Sequence, residues 1–190
     1  MGKTSIKAKN EYCPQALYLY GTYKEDGTPN YGLFCWCAYC AVEEQKFVAC
    51  IGEDKLTRDL IRKNGMFSAT IVTEDLLPEA DWCGNHSGKN FDKSKKIEST
   101  KGEVLNVPIP EKGVWTLELK VDYTLHPNEN YDSDIYICSI VNVIADDRLI
   151  DDVLTLEEKI ELIKPVVTLG YHYLPVEPRS LGGWGKVIED

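Results

Sequence analysis

Apolar positions along the chain come in short runs, and turn residues separate them. The first clear strand is ALYLYGTY (16–23), followed by KEDGTPN with Asp26-Gly27 as a turn signal. A long apolar stretch over 31–42 and another over 46–52 predict adjacent buried strands. FSATIVT (67–73), WTLELKVDYTL (115–125) and IYICSIVNVIA (135–145) add three more. Elsewhere the period changes. In DKLTRDLIRKNG, Thr57 is placed to cap a short helix that turns Leu60 and Ile61 inward and ends at Gly65. TEDLLPEADWCG reads as a second short helix capped by Thr73, with Glu74 and Asp75 in its first turn and Pro78 against it. TLEEKIELIK opens with Thr155 and Glu158 in capping-box spacing and is stopped by Pro165. Residues 84–102, rich in Gly, Ser, Asn and Lys, read as an ordered loop. The tail GGWGKVIED reads as loose or docked on a partner.

Strands dominate, connections are short, and there is no regular strand–helix alternation of the doubly wound kind. The expected fold class is mainly β with α: a β-barrel or closed sheet with short peripheral helices at its edges.

Composition narrows the partners. A length of 190 residues suits one domain with a sizeable core, and 43% hydrophobic with 27% charged residues is ordinary globular usage. Lys plus Arg total 21 against 31 for Asp plus Glu, a net charge of −10. That balance argues against nucleic acid or an anionic membrane as a partner, so an anionic ligand would need a local basic pocket. No apolar run is long enough to span a bilayer. The start MGKTSIKAKN lacks the apolar core of a signal peptide, and Ile6 breaks the myristoylation pattern. A cytoplasmic protein with reduced thiols is expected, since seven cysteines form no scaffold spacing.

Three of those cysteines lie in CWCAYC (35–40). On a straight strand Cys35 and Cys37 share a face and Cys40 lies on the other. Cys37 and Cys40 would then be about 10 Å apart between Cα atoms, against the roughly 7 Å limit of a disulfide. Nothing helical begins here to activate a thiol. Cys50, Cys83, His86, His126 and His172 supply no second pair of zinc ligands at suitable spacing. Small buried thiols packing in a strand explain the stretch fully.

Two clusters can take an anion. In GEDKLTRDLI, Lys55, Thr57 and Arg58 stand at a helix entrance, where free N–H groups and the positive dipole end favour phosphate. In GNHSGKNFDKSKK, the lysines 89, 93, 95 and 96 accompany Ser87-Gly88. Taken locally, an ordinary capped helix start and a solvated lysine-rich loop are the plainer readings. The Rossmann and phosphate-loop fingerprints are absent, so a nicotinamide cofactor, if used, would be a transient substrate. No Ser-His-Asp order or paired-carboxylate spacing stands out, and no catalytic residue or metal ligand is assigned.

The order of motifs says more than each alone. A strand precedes DGTPN; a strand with Cys35-Trp36 follows; then come CIGEDKLTRDLI, FSATIVTEDLL, DWCGNHSGKNFDK and a late KPVVTLGYHYL. This series resembles the flavin reductase-like family of FMN-binding split barrels that includes flavoredoxin. The resemblance covers residues 14–174, leaving 1–13 as an N-terminal extension and 175–190 as a tail. It implies a split β-barrel of Greek-key-like order, a homodimer, and FMN near the subunit interface. It places Asn30 in the D-G-x-x-N turn, and Cys35, Trp36 and Cys37 along the flavin. It places Lys55 and Thr57 on the phosphate, and Ser87, Gly88 and Lys93 in the S-G…D-K element near the cofactor. Cys35 stands where the family often has Ser, and Lys55 and Lys89 where Arg is common, which keeps the charge but loses bidentate geometry.

The implied function is an oxidoreductase that passes electrons from NAD(P)H through FMN to a small-molecule or protein acceptor. The alternatives are an electron-transfer or flavin-carrier module without NAD(P)H turnover, and a structural barrel that binds no flavin.

Overall fold

The structure, a computed structural model, describes every residue except 1, 10, 42–43, 53, 127–132 and 187–190. In chain order the strands are β1 (Gln15–Ala16), β2 (Tyr18–Tyr23), β3 (Pro29–Phe34), β4 (Cys37–Cys40), β5 (Lys46–Ile51) and β6 (Met66–Ile71). They continue as β7 (Ser99–Lys101), β8 (Pro108–Pro110), β9 (Trp115–Leu125), β10 (Asp134–Ala145), β11 (Val166–Leu169) and β12 (His172–Pro175). The helices are α1 (Leu56–Asn64), α2 (Leu77–Asn85), α3 (Asp147–Ile150) and α4 (Leu156–Ile163).

Seven strands form one antiparallel sheet in the order β3-β2-β6-β9-β10-β5-β4. Its two edge strands, β3 and β4, are consecutive in the chain and joined only by Cys35 and Trp36. Three Cα steps reach roughly 11 Å at most. The edges must therefore approach each other, so the sheet curls into a barrel with an unpaired seam. This is the split β-barrel. CWCAYC, expected as one straight strand, instead crosses that seam. Its backbone folds back as Cys37 N–H donates to the Cys35 carbonyl (3.1 Å), and the Trp36 carbonyl accepts from Cys50 N–H (2.8 Å). All seven cysteines are free thiols.

The period-two pattern of β2 divides two cores. Tyr18 and Tyr20 point into the barrel with Phe47, Phe67, Leu117, Leu119 and Tyr136. Leu17 and Leu19 point outward to a second cluster with Tyr31, Leu76, Ala80 and Cys83, which α2 covers. The far face of β9 buries the Glu118 carboxylate, which accepts N–H bonds from Glu103, Val104 and Leu105 (2.6, 2.9 and 2.9 Å) and so ties down the loop before β8.

Two helix starts differ from expectation. Thr57 does not cap α1. Lys55 is the N-cap residue and Thr57 lies buried inside the first turn, where Asn30 engages its hydroxyl. Thr73 does not cap α2, because its backbone is held in a bridge to Pro165; the helix starts at Leu77 after a turn, and Pro78 falls in the first turn, where a missing N–H costs nothing. The Thr155–Glu158 capping box and the left-handed Gly65 ending α1 stand as the sequence predicts. Residues 84–102 are ordered by a 3-10 turn at Lys93–Lys95 and by β7 pairing with β8. Beyond β12, Leu181 and Trp184 are exposed, and the last four residues of the tail lie outside the described residues. Among the described residues no helix is long and apolar enough to cross a membrane.

Candidate functional site

A cavity of about 210 Å³ opens where β3, the start of α1 and the loop after α2 meet. Each wall follows from local structure. Gly32 thins β3 at this point: a Cβ there would stand 2.8 Å from Thr57 Oγ1 and 2.6 Å from the Phe34 ring. Lys55 at the N-cap makes no side-chain cap bond, and the first turn of α1, with Lys55, Leu56 and Thr57, forms the second wall with its positive dipole end. The third wall is Gly84 to Gly88 with Lys93.

Five of the expected residues therefore converge here: Lys55, Thr57, Ser87, Gly88 and Lys93. Asn30 lies one layer beneath. It is fully buried, and its Nδ2 donates to Thr57 Oγ1 (3.1 Å) and Thr22 Oγ1 (3.4 Å). Its Oδ1 has no hydrogen-bond partner among the described residues and lies against Gly88. Lys93 is also buried, and its ammonium donates to the Tyr31 and Cys83 carbonyls (2.6 and 2.7 Å). Burial pushes that ammonium down from the ordinary lysine value. Lys93 thus places a cation in the cavity floor while pinning α2 to β3.

Cys35, Trp36 and Cys37 do not line this cavity. Cys35 packs on the outer core beside Leu33. Cys37 faces the barrel core, where burial pushes its thiol up to about 11 and the Tyr20 hydroxyl approaches it. Trp36 stands 54% exposed on the seam, with its ring beside Gly52, two residues before the cavity-lining Asp54.

Lys89, which the sequence places in the second basic cluster, and His86, which it gives no role at this site, complete the rim. Lys89 forms ion pairs with Asp54 and, at 3.5 Å, with Asp59, so it joins the loop after α2 to the start of α1. His86 stacks on Trp82 (4.1 Å between ring centroids), and its Nδ1–H donates to the Trp82 carbonyl (2.8 Å). The signal for His86 was its place beside Ser87-Gly88; the Lys89–Asp54 pair, 35 residues apart, left none. The assembled site offers two lysines, hydroxyls and a helix start to one anionic group, and an exposed aromatic edge beside it.

Residues 11–161 match the model of the flavin reductase like domain. No curated protein matches the chain. Among solved structures, flavoredoxin of Desulfovibrio vulgaris (Miyazaki F) superposes with a TM-score of 0.80 at 24% identity, covering 92% of this chain and 93% of that one. Flavoredoxin from Methanosarcina acetivorans gives 0.80 at 21% identity and covers 94% of each chain. An FMN-binding protein from Thermus thermophilus, with bound p-hydroxybenzaldehyde, gives 0.77 at 20% identity, covering 96% and 98%.

Proposed function

Because the chain belongs to the flavin reductase-like family, we propose that it binds FMN and passes electrons from NAD(P)H through the flavin to an acceptor. The observation that carries this reading is the convergence of Lys55, Thr57, Ser87, Gly88 and Lys93 on one cavity. A cavity of about 210 Å³ is small beside the roughly 300–1,000 Å³ of whole-ligand pockets. It suits the phosphate and adjoining polyol, with the tricyclic ring outside along the seam at Cys35 and Trp36. The residues fit that group. Lys55 and Lys93 supply charge, the first turn of α1 supplies N–H donors, and glycine at 88 keeps the wall open. The Asn30 Oδ1 beneath Gly88, without a partner among the described residues, offers an acceptor to a ligand hydroxyl.

When bound, FMN supplies the electron chemistry. The protein binds the phosphate, orients the ring against Trp36 and keeps the thiols out of the reaction. A homodimer fits the same reading, since a second subunit against β4 would cover the exposed Tyr39. Free thiols throughout suit a reducing, cytoplasmic setting. A planar aromatic acceptor suits the open Trp36 face, as the aromatic aldehyde held by the Thermus thermophilus protein suggests.

The test is to add FMN to purified protein, desalt, and record the flavin bands, then add NADH or NADPH without oxygen. Retained bands that bleach support the reductase. Retained bands that do not bleach make the protein a flavin carrier, and no retained flavin overturns the reading. The double variant Lys55→Ala/Thr57→Ala is expected to weaken FMN binding at least tenfold while circular dichroism remains native. Unchanged affinity in the folded variant would move the phosphate elsewhere.

A further inference from the structure

At the Trp36 end of the barrel, α1, β10 and the residue that follows β9 carry a polar network that the cofactor cavity does not use. Its centre is Asp134, 0% exposed. The carboxylate accepts four hydrogen bonds: Arg62 Nε (2.5 Å), Arg62 Nη2 (2.7 Å), Tyr136 hydroxyl (2.6 Å) and His126 Nδ1 (2.6 Å). Burial pushes the carboxyl up, but the bonds from Arg62, Tyr136 and His126 outweigh it and hold the group at about 2. The carboxylate is thus an acceptor only, which fixes the His126 proton on Nδ1. The second ring nitrogen, Nε2, is left on a side chain that is 59% exposed.

An ordinary hairpin-closing ion pair accounts for the cross-strand position, since the Ile135–Leu125 pairing is the next one along. The need to satisfy a buried charge accounts for the filled acceptor sites of the carboxylate, and those bonds also hold one imidazole nitrogen inward. That is how an imidazole is oriented for proton transfer: one nitrogen locked inward, the other presented outward. Among the described residues, the charged and titratable groups around it are Arg62 and Arg58 from α1, Tyr136 from β10 and Cys50 from β5, whose thiol burial pushes up. The network also adjoins Trp36. Asp134 pairs with Ile51, and a Cβ on the next residue, Gly52, would lie 3.8 Å from Ser133 Oγ and 4.0 Å from the Trp36 ring.

We propose that His126 is the proton donor to a planar quinone-class acceptor at the Trp36 edge, with Asp134 as its positioning residue; this rests on the flavin reading above. In the step, one quinone oxygen receives a hydride equivalent, two electrons and a proton, from anionic dihydroflavin. The other oxygen takes the Nε2 proton of the His126 imidazolium, whose Nδ1–H stays on Asp134. The quinone becomes a hydroquinone, the flavin is oxidised, and the neutral imidazole regains its proton from water.

The experiment uses full-length protein loaded with FMN, reduced without oxygen, and mixed with menadione or with ferricyanide, which takes electrons alone. In His126→Gln, menadione reduction is expected to slow by about 100-fold and to lose the alkaline fall in rate that a histidine acid imposes. Ferricyanide reduction should stay within threefold of wild type, and FMN affinity within twofold. Nitrogen-15 spectra of the flavin-free protein should place the neutral His126 proton on Nδ1, and on Nε2 in a substantial fraction of Asp134→Asn. Equal menadione rates and pH profiles in wild type and His126→Gln, with FMN bound to both, overturn the proposal alone. Equal slowing with both acceptors assigns His126 a structural part and also overturns it. Wild type that binds no FMN overturns this proposal together with the flavin reading.

Discussion

Gly88→Ala tests the cavity at its tightest point. The new Cβ would fall inside the van der Waals shell of Asn30 Oδ1, 3.2 Å from Asn30 Cγ and 2.9 Å from Leu56 Cδ2. Asn30 cannot retreat freely, because its amide is fully buried and tied to Thr57 and Thr22. Overpacking costs about 1–3 kcal/mol. Breaking the Asn30–Thr57 bond adds about 1 kcal/mol. Replacing glycine by alanine returns about 0.4–1 kcal/mol through the unfolded chain, since no left-handed φ is required at this position. The net loss is about 1–4 kcal/mol, or roughly 2–14 °C in Tm for a chain of this size. Thermal unfolding followed by far-ultraviolet circular dichroism reads it, and FMN titration should show at least a tenfold loss of affinity. Gly52→Ala is the control: its Cβ would meet only Ser133 Oγ at 3.8 Å and the Trp36 ring at 4.0 Å, ordinary contacts, so Tm should move by about 1 °C or less. A Gly88→Ala protein with wild-type Tm and wild-type FMN affinity would refute the geometry of this wall.

Two further outcomes follow from the ionisable groups. Asp134 is held at about 2 against an ordinary 3.8, so it contributes roughly 2 kcal/mol of stability above the unfolded value, lost as pH falls through the folded one. Urea midpoints should therefore drop between about pH 4 and pH 2, and that step should vanish in Asp134→Asn; a step of equal size in the variant would assign it to other carboxylates. Burial pushes Cys37 and Cys83 up to about 11 and Cys138 up to about 12, so at neutral pH iodoacetamide should label exposed Cys13 well before any of them. Cys37→Ser should likewise leave NAD(P)H-driven flavin reduction largely intact; near-total loss with flavin still bound would put a thiol back in the mechanism.

The strands were legible in the sequence because period-two burial is a local signal: Tyr18 and Tyr20 inward, Leu17 and Leu19 outward. The seam was not. CWCAYC has the composition of one strand, and only the pairing of β3 and β4 with distant partners separates it into two edges. Thr57 looked like a cap because capping residues are recognised one helix at a time, whereas its hydroxyl is claimed by Asn30, 27 positions away. The same limit applied to the site. Neither basic cluster outweighed a solvated surface on its own, and the order of motifs across the chain, not the chemistry of any one, placed them on one cavity. The Asp134 network was invisible for a different reason: its members are spread over α1, β10 and the residue that follows β9, and no spacing rule joins them.

The acidity of the chain and an anionic ligand are reconciled by distance. A net charge of −10 acts through solvent, where fields fade over roughly 8–10 Å at moderate salt. A group inside the cavity instead meets Lys55 from α1, buried Lys93 in the floor and the dipole of the helix. Among the described residues, Asp54 and Asp59 at the rim are engaged by Lys89, which withdraws their charge from the entrance without itself entering the cavity wall. Lys89 occupies the joint between the loop after α2 and the start of α1, so the ion pairs that neutralise the rim also hold two of the cavity's three walls together.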